Sequence, residues 1–425
     1  MSTDVFEAYT QGKNIFMTGP AGTGKTYTIQ KIYEHALMEK IKVKVTALTG
    51  VAAVLLNCNA TTLHSWAGVG HMNKNIFEII NKISKSKFYA YNWENTDLLI
   101  VDEISMMSAK LFTLLDKIGK KIRMNDKPFG GIQLIFAGDF FQLPPVQTDQ
   151  FCFESPIFQK TFDCLIQLKK VYRQNDMHYK KILLNMRKGL ISKKSIELFQ
   201  SKLIQNDKIL NENIIRLVPT KNKALEINEF FMKQIKEKKY IYNRVCKESS
   251  NNLSHLEKFK LDLLTKDEKE NEYKFIKETN LAEEKLYLKK GCFVMCVANI
   301  DMENGIVNGS VGKVIDFSEK RLPIVEFQNI IMEVGKKEWK SENIPGISVL
   351  QVPLILAWSL TIHKSQGLTL EKCIIDLGKD IFEAGQMYVA LSRLKNLDGL
   401  YLSHFDIKNL TINKKVLEFY ETLDA

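Results

Sequence analysis

The stretch Gly19-Pro20-Ala21-Gly22-Thr23-Gly24-Lys25-Thr26 fits the pattern G-x-x-x-x-G-K-[ST], the loop that holds the phosphates of a nucleoside triphosphate. The five residues before it, 14–18, are predicted to form a short buried strand. Residues 27–38 after it carry apolar side chains at helical spacing. The motif requires this strand–loop–helix context, so the sequence predicts a P-loop at the edge of an α/β sheet.

Each part of this loop has a predicted task. The glycines allow backbone N–H groups to turn inward around phosphate oxygens, and the following helix adds partial positive charge at its N-terminus. Lys25 is predicted to contact the β- and γ-phosphates, and Thr26 to offer its hydroxyl to Mg²⁺. The motif predicts binding of a nucleoside triphosphate and leaves open what the nucleotide is used for.

Two acidic residues follow another apolar segment, Leu98-Leu99-Ile100-Val101. In a parallel sheet the carboxyl ends of the strands meet at one edge, so Asp102 and Glu103 are expected beside the P-loop. We predict that Asp102 holds Mg²⁺ and that Glu103 is the general base for the attacking water. The alternative for such a pair taken alone is a solvated strand end.

A third apolar segment, 132–137, leads into Gly138-Asp139-Phe140-Phe141-Gln142-Leu143-Pro144-Pro145-Val146. A neutral amide at a strand end can orient the lytic water and contact the γ-phosphate. We therefore predict a catalytic role for Gln142, with the two prolines stiffening the chain that follows.

Short apolar segments alternate with helical patterns along the first 165 residues, which is typical of a parallel sheet covered by helices. Strands are predicted here at residues 15–18, 43–48, 98–101 and 132–137. A second alternation of strands and helices is predicted, with strands at 216–219, 354–358, 373–377 and 400–402. It is interrupted by a Lys/Glu/Asn-rich stretch, about 233 to 285, and by short strands at 292–298, 311–317 and 324–327. We predict an α/β fold whose second domain carries an inserted small β-barrel.

The composition is that of a soluble globular protein of two to four domains, with 425 residues, 45% hydrophobic and 26% charged. No apolar run approaches the ~20 residues of a membrane span. Residues 1–7 do not resemble a secretory signal, so an intracellular protein without a membrane partner is expected.

The formal net charge of +11 favours a polyanionic partner such as nucleic acid. The alternative is a Lys-rich surface that merely accompanies the abundance of Asn and Ile. The seven Cys have irregular spacings that fit no paired zinc pattern. Buried thiols are the favoured interpretation, including Cys292 and Cys296 on one face of a predicted strand.

Further motifs together resemble the Pif family of DNA helicases, in superfamily one. Its signature block is matched by residues 105–112, 121–123, 128–134 and 138–146. Residues 48–53 and 61–68 resemble its first DNA-contacting motifs. Four later segments also fit the family: 171–174, 308–312, 357–369 and 388–393. The resemblance covers nearly the whole chain.

The resemblance implies two RecA-like domains with ATP in the cleft between them. The first domain is expected at residues 1–66 and 91–165, and the second at 166–240 and 350–425. Residues 67–90, with Gly68, Gly70 and a Lys-rich helix, take the place of the family's strand-separating wedge. The insertion at 241–349 takes the place of its SH3-like domain.

The implied activity is that of an ATP- and Mg²⁺-dependent helicase that moves 5′ to 3′ on single-stranded DNA. Its substrates would be duplex with a 5′ single-stranded tail, RNA–DNA hybrids or structured DNA, in replication, repair or recombination. A compact, monomeric motor core is expected. Two alternatives remain open: a translocase that strips bound proteins, and a docking module that does not unwind. Action on RNA, and a nuclear, cytoplasmic or viral setting, also remain open.

The resemblance also implies roles for individual residues. Arg173 and Arg393 would act as arginine fingers from the second domain, Gln366 would couple the nucleotide to DNA, and Tyr172 would stack on adenine. The implied DNA contacts are Thr49, His64, Asn308, Thr361 and His363. The alternatives are surface ion pairs for the two arginines and structural roles for the two histidines.

One departure from the family concerns the base of the nucleotide. The family usually has a Gln well upstream of the P-loop that contacts adenine. Gln11 is too close to the P-loop to align with it. Adenine specificity is therefore left open by the sequence.

Overall fold

The computed structural model describes residues 3–56, 58–69, 75–145, 150–205, 213–251, 253–262, 264–328, 330–341 and 344–424. Gly70 of the predicted wedge and Val146 of the signature block lie outside these residues. The chain forms two compact units, Met1–Leu210 with Ile362–Ala425 and Asn211–Thr361. They are called unit 1 and unit 2 below. The limits of these units differ from those of the predicted domains. Unit 1 contains the P-loop together with Arg173 and Arg393, which were predicted to lie in different domains.

The strands are numbered along the chain. The first six are β1 (Ile15–Thr18), β2 (Val43–Ala47), β3 (Thr61–Thr62), β4 (Leu98–Asp102), β5 (Gln133–Gly138) and β6 (Cys164–Gln167). Unit 2 begins with β7 (Arg216–Val218), β8 (Tyr240–Asn243), β9 (Val245–Glu248), β10 (Lys285–Leu288), β11 (Phe293–Cys296) and β12 (Val311–Phe317). It continues with β13 (Pro323–Phe327), β14 (Ile330–Glu333), β15 (Lys337–Lys340), β16 (Ile347–Gln351), β17 (Leu354–Leu356) and β18 (Ser359–Thr361). Unit 1 resumes with β19 (Cys373–Leu377) and β20 (Leu400–Phe405).

The α-helices are numbered in the same way. Those before residue 124 are α1 (Thr3–Thr10), α2 (Lys25–Met38), α3 (Gly50–Leu56), α4 (Leu63–Ala67), α5 (Ile76–Lys85), α6 (Lys87–Glu94) and α7 (Ala109–Arg123). The next are α8 (Phe158–Thr161), α9 (Met177–Arg187), α10 (Lys193–Ser201), α11 (Lys221–Gln234), α12 (His255–Asp262) and α13 (Lys266–Thr279). The last are α14 (Gln386–Leu391) and α15 (Lys414–Asp424). Short 3₁₀ turns lie at Ile104–Met106, Pro128–Gly131, Cys152–Glu154, His363–Ser365 and Ile407–Asn409.

Unit 1 is built on a six-stranded parallel sheet in the order β3-β2-β4-β5-β1-β6, as the strand–helix alternation predicts. The register places Thr18 opposite Gly138, and Val101 opposite Phe136. The carboxyl ends of β1, β4 and β5 therefore lie side by side. The P-loop, the two acids and the Gln142 turn leave the sheet at these three neighbouring ends.

Side chains alternate across this sheet because successive residues of a strand point to opposite faces. On one face Phe16, Leu99 and Val101 join a cluster with helices α5, α7 and α15. On the other face Ile15 and Ile100 join a cluster with α1, α2 and α3. Both faces are covered, which accounts for strands that read as continuous apolar runs rather than as alternating ones.

The segment predicted to take the place of the wedge forms α5 and part of α6. Asn75 caps α5, since its side chain accepts a hydrogen bond from the N–H of Phe77 at 3.1 Å. Ile79 and Ile83 are buried in the α7 side of the core, whereas Phe77 is 74% exposed.

Unit 2 contains the predicted β insertion. Strands β14-β13-β12-β11-β17 form one antiparallel sheet, and β15-β16-β9 and β10-β8 form two smaller ones. The Asn308-Gly309 turn leads into β12, as predicted, and Gly309 has a φ of +95° that suits glycine. Strands β7 and β18 pair in parallel.

The Lys/Glu/Asn-rich stretch is more regular than its composition suggests. It contains α12 and α13, whose Leu261 and Ile276 pack with Ile347 and Val349 in a small core of their own. Of the predicted strand at 354–358 only residues 354–356 are extended, as β17, and β18 begins after it at Ser359.

The cysteines are free thiols, and five of the seven are buried. Cys292 and Cys296 both lie in the β11 region with no exposed surface, as predicted for buried thiols. Within the described ranges, a search for helices long and apolar enough to cross a membrane finds none.

Candidate active site

The loops at the ends of β1, β4 and β5 surround a pocket of about 1010 Å³ in unit 1. The pocket brings together most of the residues predicted for nucleotide binding and hydrolysis. Its lining includes Ala21, Gly22, Thr23, Gly24, Lys25, Thr26, Asp102, Glu103, Gln142, Tyr172, Arg173 and Arg393. Gly19, Pro20 and Gln366 do not belong to this lining, although Gly367 does.

The P-loop has the backbone that its glycines permit. Gly22 and Gly24 have φ values of +79° and +88°, in the left-handed region that favours glycine. A Cβ at Gly22 would lie 2.5 Å from Cβ of Arg173, so this position also requires the absence of a side chain. The loop and the segment carrying Arg173 are therefore in direct contact.

Lys25 opens helix α2 and folds its side chain back along the loop. Its Nζ donates to the carbonyl oxygens of Gly19 at 2.7 Å and Pro20 at 3.1 Å. Burial lowers the pKa of Lys25, while the nearby carboxylates of Asp139, Glu103 and Asp102 act in the opposite direction. A phosphate group would supply the anionic partner that a buried ammonium needs.

Asp102 is the last residue of β4, and its carboxylate accepts a hydrogen bond from the N–H of Glu103 at 2.9 Å. Burial, together with the charge of Glu103, raises the pKa of Asp102 to about 7. The site thus holds a carboxyl group whose negative charge is costly until a cation approaches.

Glu103 has an unusual backbone for a residue with a side chain. Its φ of +54° lies in the left-handed region, which costs a non-glycine residue about 1 kcal/mol or more. Within the described residues its buried Oε2 has no hydrogen-bond partner. Strain and an unpaired buried oxygen at one residue are typical of a site shaped for a ligand rather than for stability.

Two glutamines near the site also carry buried atoms without partners among the described residues. These are Oε1 of Gln142 and Nε2 of Gln366. Both side chains are only 4% exposed. The backbone holds each in place, because Gln142 N–H donates to Asp139 O at 2.9 Å and Gln366 N–H donates to His363 O at 3.2 Å.

The two predicted arginine fingers share Ser392 as a partner. Arg173 Nη1 donates to the carbonyl oxygen of Ser392 at 3.2 Å, and Arg393 Nη2 donates to its Oγ at 2.7 Å. Burial lowers the pKa of both groups, and with the repulsion of Arg173 it lowers the pKa of Arg393 to about 9. Arg393 is 2% exposed and Arg173 is half-buried, and both line the pocket that also contains Glu103.

Tyr172 is 61% exposed at the mouth of the pocket. Its N–H donates to Gly22 O at 2.8 Å, and its ring would lie 4.0 Å from a Cβ at Gly24. The Nζ of Lys170 lies 5.2 Å from the ring centroid. An exposed ring fixed beside the P-loop suits a nucleotide base.

Four residues of this region were not predicted as functional from the sequence: Asp139, Arg187, Tyr388 and Tyr420. Asp139 and Arg187 form a buried ion pair with a shortest separation of 2.8 Å. Tyr388 OH accepts from Ala21 N–H at 2.9 Å, and Tyr420 OH lies 2.5 Å from Thr18 Oγ1. Asp139 and Tyr388 lie inside matched motifs, but Arg187 and Tyr420 lie in ordinary amphipathic helices without a sequence signal.

The predicted DNA contacts are divided between the two units. Thr49, His64 and His363 belong to unit 1, whereas Asn308 and Thr361 belong to unit 2. Thr49 Oγ1 accepts from Ala52 N–H at 3.2 Å, and His363 Nε2 lies 2.9 Å from Glu383 Oε2. Asn308 is 8% exposed, and within the described residues both of its amide atoms lack a partner.

The residues of the pocket fit a nucleoside triphosphate with a magnesium ion. The unpaired Oε atoms of Glu103 and Gln142 provide polar groups, and the glycines of the loop leave room for phosphates. The described residues contain no cluster of three His, Cys, Asp or Glu side chains able to hold a metal on its own. Mg²⁺ needs only one or two protein oxygens beside substrate phosphates, and Asp102 and Thr26 are positioned so that they could supply them.

Two family models match the chain. The model of the PIF1-like helicase matches residues 3–197, and that of the DNA helicase Pif1 2B domain matches residues 273–317. The second match falls within the antiparallel strands of unit 2, where the sequence predicts an SH3-like insertion.

The chain is also similar to individual proteins. It is 36% identical to the ATP-dependent DNA helicase PIF1 of Xenopus laevis over 99% of this chain and 63% of that protein. The crystal structure of Pif1 helicase from Candida albicans matches with 34% identity and a TM-score of 0.79, over 100% of this chain and 99% of that one. Pif1 helicase from Bacteroides in complex with ADP-AlF3 and ssDNA matches with 27% identity and a TM-score of 0.67, over 99% and 96%.

The chain spans just under two thirds of the length of the curated relative but nearly all of the Candida albicans structure. Similarity over that whole structure confirms the predicted α/β fold class of RecA-like domains with an inserted SH3-like domain. With both family models placed along its length, the chain belongs to the Pif1-like helicase family.

Proposed function

We propose that this protein is an ATP-dependent DNA helicase that moves 5′ to 3′ on single-stranded DNA and unwinds duplex ahead of it. The observation that carries the proposal is one pocket in unit 1 that joins the P-loop to Arg173, Arg393 and Glu103, whose buried Oε2 has no partner among the described residues. Nucleotide binding alone would require neither Glu103 nor the two arginines. A member of a helicase family that retains them is equipped for hydrolysis.

In the proposed reaction Glu103 accepts the proton of the attacking water, and Gln142 orients that water through its amide. Lys25 moves from the Gly19 and Pro20 carbonyls to the phosphates. Arg173 and Arg393 stabilise the charge that spreads over the phosphoryl oxygens. The two arginines are preorganised, because their hydrogen bonds to Ser392 hold them in place before substrate arrives.

Asp102 and Thr26 are the proposed holders of Mg²⁺, which would neutralise phosphate charge when bound. Asp102 is suited to this because its own charge is disfavoured by burial in the absence of a cation. The hydroxyl of Thr26 lies at the first turn of α2, beside the loop.

Movement along DNA requires that nucleotide and strand be coupled. We assign Thr49, His64, Asn308, Thr361 and His363 to the DNA strand. The unpartnered, buried amide of Asn308 supports this assignment, since such a group costs stability unless a ligand completes it.

The predicted domains, including the wedge at 67–90, remain part of the proposal. Each base-pair step costs only about 1.4 kcal/mol of stacking, a modest load for one catalytic cycle.

The experiment that tests the proposal is directional unwinding. Purified protein, ATP and Mg²⁺ are mixed with duplexes carrying either a 5′ or a 3′ single-stranded tail, with Lys25→Ala as the inactive control. Unwinding of only the 5′-tailed duplex is expected. Failure on both substrates would contradict the activity, and preference for the 3′ tail would contradict the direction.

Two other functions predict different results in the same assays. A docking module would keep its function in Glu103→Gln, because docking does not depend on hydrolysis. DNA-stimulated ATPase that is strong in the wild type and lost in Glu103→Gln would therefore exclude a docking module. A translocase that strips proteins would hydrolyse ATP and displace a bound protein without separating strands. RNA and RNA–DNA duplexes of equal length, compared at one salt concentration, test the choice of nucleic acid.

A further inference from the structure

The turn at residues 139–142, which carries Gln142, is held by residues far from it in the chain. The Oε1 atom of Gln142 has no partner among the described residues, so it contributes no hydrogen bond that would hold the turn. Its position before substrate binds is therefore set by the backbone of the turn. What fixes that backbone decides where the amide points.

The hydroxyl of Tyr420, in α15, joins two strand ends. It lies 2.5 Å from Thr18 Oγ1, at the end of β1 directly before the P-loop. It also accepts from Phe140 N–H at 3.2 Å and donates to Asp139 Oδ1 at 3.3 Å, both in the turn after β5. One buried oxygen thus links the loop that holds phosphate to the turn that carries Gln142.

Arg187, at the end of α9, holds the same turn by charge. Its Nε lies 3.1 and 3.0 Å from the two oxygens of Asp139, and its Nη2 lies 2.8 Å from Oδ1. The guanidinium carbon also lies 4.3 and 4.8 Å from the ring centroids of Phe141 and Tyr420, which stack on each other. A planar, two-pronged contact of this kind fixes orientation as well as distance.

A close backbone contact completes the enclosure of the turn. A Cβ at Gly385, directly before α14, would lie 2.3 Å from Phe141 O and 2.7 Å from Gln142 O. The helix that leads to Arg393 is therefore packed against the carbonyl oxygens of the turn.

We propose that Tyr420 and Arg187 are positioning residues for ATP hydrolysis, which act by fixing the 139–142 turn so that the Gln142 amide faces the reacting phosphate. This rests on the proposed function. Helices α15 and α9 would thereby contribute to hydrolysis through Gln142, although neither Tyr420 nor Arg187 lines the pocket.

The test is a double-mutant cycle. Tyr420→Phe keeps the ring, which stacks on Phe141 at 4.7 Å, and removes only the hydroxyl. Steady-state ATPase is measured with saturating single-stranded DNA for the wild type, Tyr420→Phe, Gln142→Ala and the double variant. We expect Tyr420→Phe to lower kcat by about threefold to tenfold, the effect of one buried hydrogen bond, with KM unchanged. In the Gln142→Ala background the same change should have no further effect on kcat.

The matched control is Tyr242→Phe in unit 2. Tyr242 is also buried, and its hydroxyl donates to Arg321 O at 2.6 Å. Tyr242→Phe should leave kcat unchanged, and it should lower the melting temperature by about as much as Tyr420→Phe does. Arg187→Lys is the second variant, which retains charge but not the two-pronged contact, and it too should lower kcat only when Gln142 is present.

The possible results separate the inference from the proposed function. A wild type without DNA-stimulated ATPase would overturn both. If the wild type is active, two results would overturn the inference alone: an unchanged kcat in Tyr420→Phe, or an equal loss of kcat with and without Gln142, which would show a general structural role.

Discussion

The phenol oxygen of Tyr388 accepts a hydrogen bond from the backbone N–H of Ala21 at 2.9 Å, across 367 positions of the chain. Ala21 belongs to the P-loop, and Tyr388 lies in α14, one turn before Arg393. Burial raises the pKa of Tyr388 to about 12, so the hydroxyl is neutral throughout the physiological range. The loop and the helix that leads to Arg393 are thus joined by one neutral hydrogen bond.

Tyr388→Phe is expected to destabilise the nucleotide-free protein. The change leaves the buried N–H of Ala21 without an acceptor, which costs about 1–3 kcal/mol. Urea denaturation at pH 7 measures the loss. The loss should be the same at pH 6 and pH 8, since the hydroxyl does not titrate there. An unchanged midpoint would show that water or another group replaces the phenol.

Gly22→Ala is expected to abolish ATP hydrolysis. Its Cβ would meet Arg173 Cβ at 2.5 Å, so the loop or Arg173 must move. A displacement of about 1 Å in an active site costs about 100-fold in rate. DNA-stimulated ATPase assays measure kcat/KM.

Gly12→Ala is the matched control for this change. Gly12 has a similar φ of +73°, but a Cβ there would meet nothing within 4 Å among the described atoms. Both variants bear the cost of a left-handed alanine, about 1 kcal/mol. Only Gly22→Ala should lose activity, and equal losses would indicate that backbone strain rather than contact with Arg173 is responsible.

Much of this site could be predicted because short motifs encode it locally. The P-loop, Asp102 and Glu103 each follow an apolar strand, and parallel strands bring such ends together whatever the rest of the chain does. The inserted strands were predictable for a similar reason, since turn residues such as Asn308-Gly309 mark them.

The rest could not be predicted because it depends on contacts between distant residues. Nothing in the sequence around Tyr420 distinguishes it from a core aromatic, and its hydroxyl meets Thr18 only in the fold. Helices α12 and α13 were missed because charge dominates their composition, and their few apolar residues gain a core only by packing on β16. The unit limits likewise depend on long-range contacts that no local pattern reports.

Glu103→Gln is expected to stabilise the protein while inactivating it. Glu103 raises the pKa of Asp102 by its charge, and its Oε2 is a buried oxygen without a partner among the described residues. Neutralising it relieves the repulsion, which we expect to raise the free energy of unfolding by about 1 kcal/mol at pH 7. Loss of the general base should lower kcat by about 100-fold to 10,000-fold.

The measurements are urea denaturation without nucleotide and ATPase with saturating DNA. Glu103→Gly is measured as well, because glycine adopts a φ of +54° without strain and also lacks the carboxylate. A variant that is both less stable and inactive would show that Glu103 is a structural residue.

Thiol modification should distinguish the exposed Cys246 from the five buried cysteines, while Cys164 is only partly exposed. Cys246 is exposed, whereas burial raises the pKa of Cys58 and Cys292 to about 11 and that of Cys296 to about 12. A raised pKa lowers the thiolate fraction at a given pH, so at pH 8 a thiol of pKa 11 is only about 0.1% reactive. Titration with a chromogenic disulfide should show a fast phase that Cys246→Ser reduces by one equivalent. A fast phase of more than two equivalents in the wild type would exceed Cys246 and the partly exposed Cys164 together, and would contradict the burial of the other five thiols.

Tyr172→Ala is expected to weaken ATP binding without slowing hydrolysis. The ring is exposed beside the P-loop and is not part of the charged site, so its loss should remove stacking on the base. Stacking of a base on an aromatic ring contributes about 1–3 kcal/mol, so KM for ATP should rise about tenfold or more while kcat stays constant. Tyr91→Ala is the control, since Tyr91 is also 61% exposed but lies outside the pocket lining.

The same pair of variants answers the question that Gln11 leaves open about the base. If Tyr172 binds adenine by stacking alone, the wild type should accept other purine triphosphates nearly as well as ATP, because stacking does not read hydrogen-bonding groups. KM values for ATP, GTP and UTP, measured by phosphate release, test this. A strong preference for ATP over GTP that survives Tyr172→Ala would place base recognition elsewhere in the pocket.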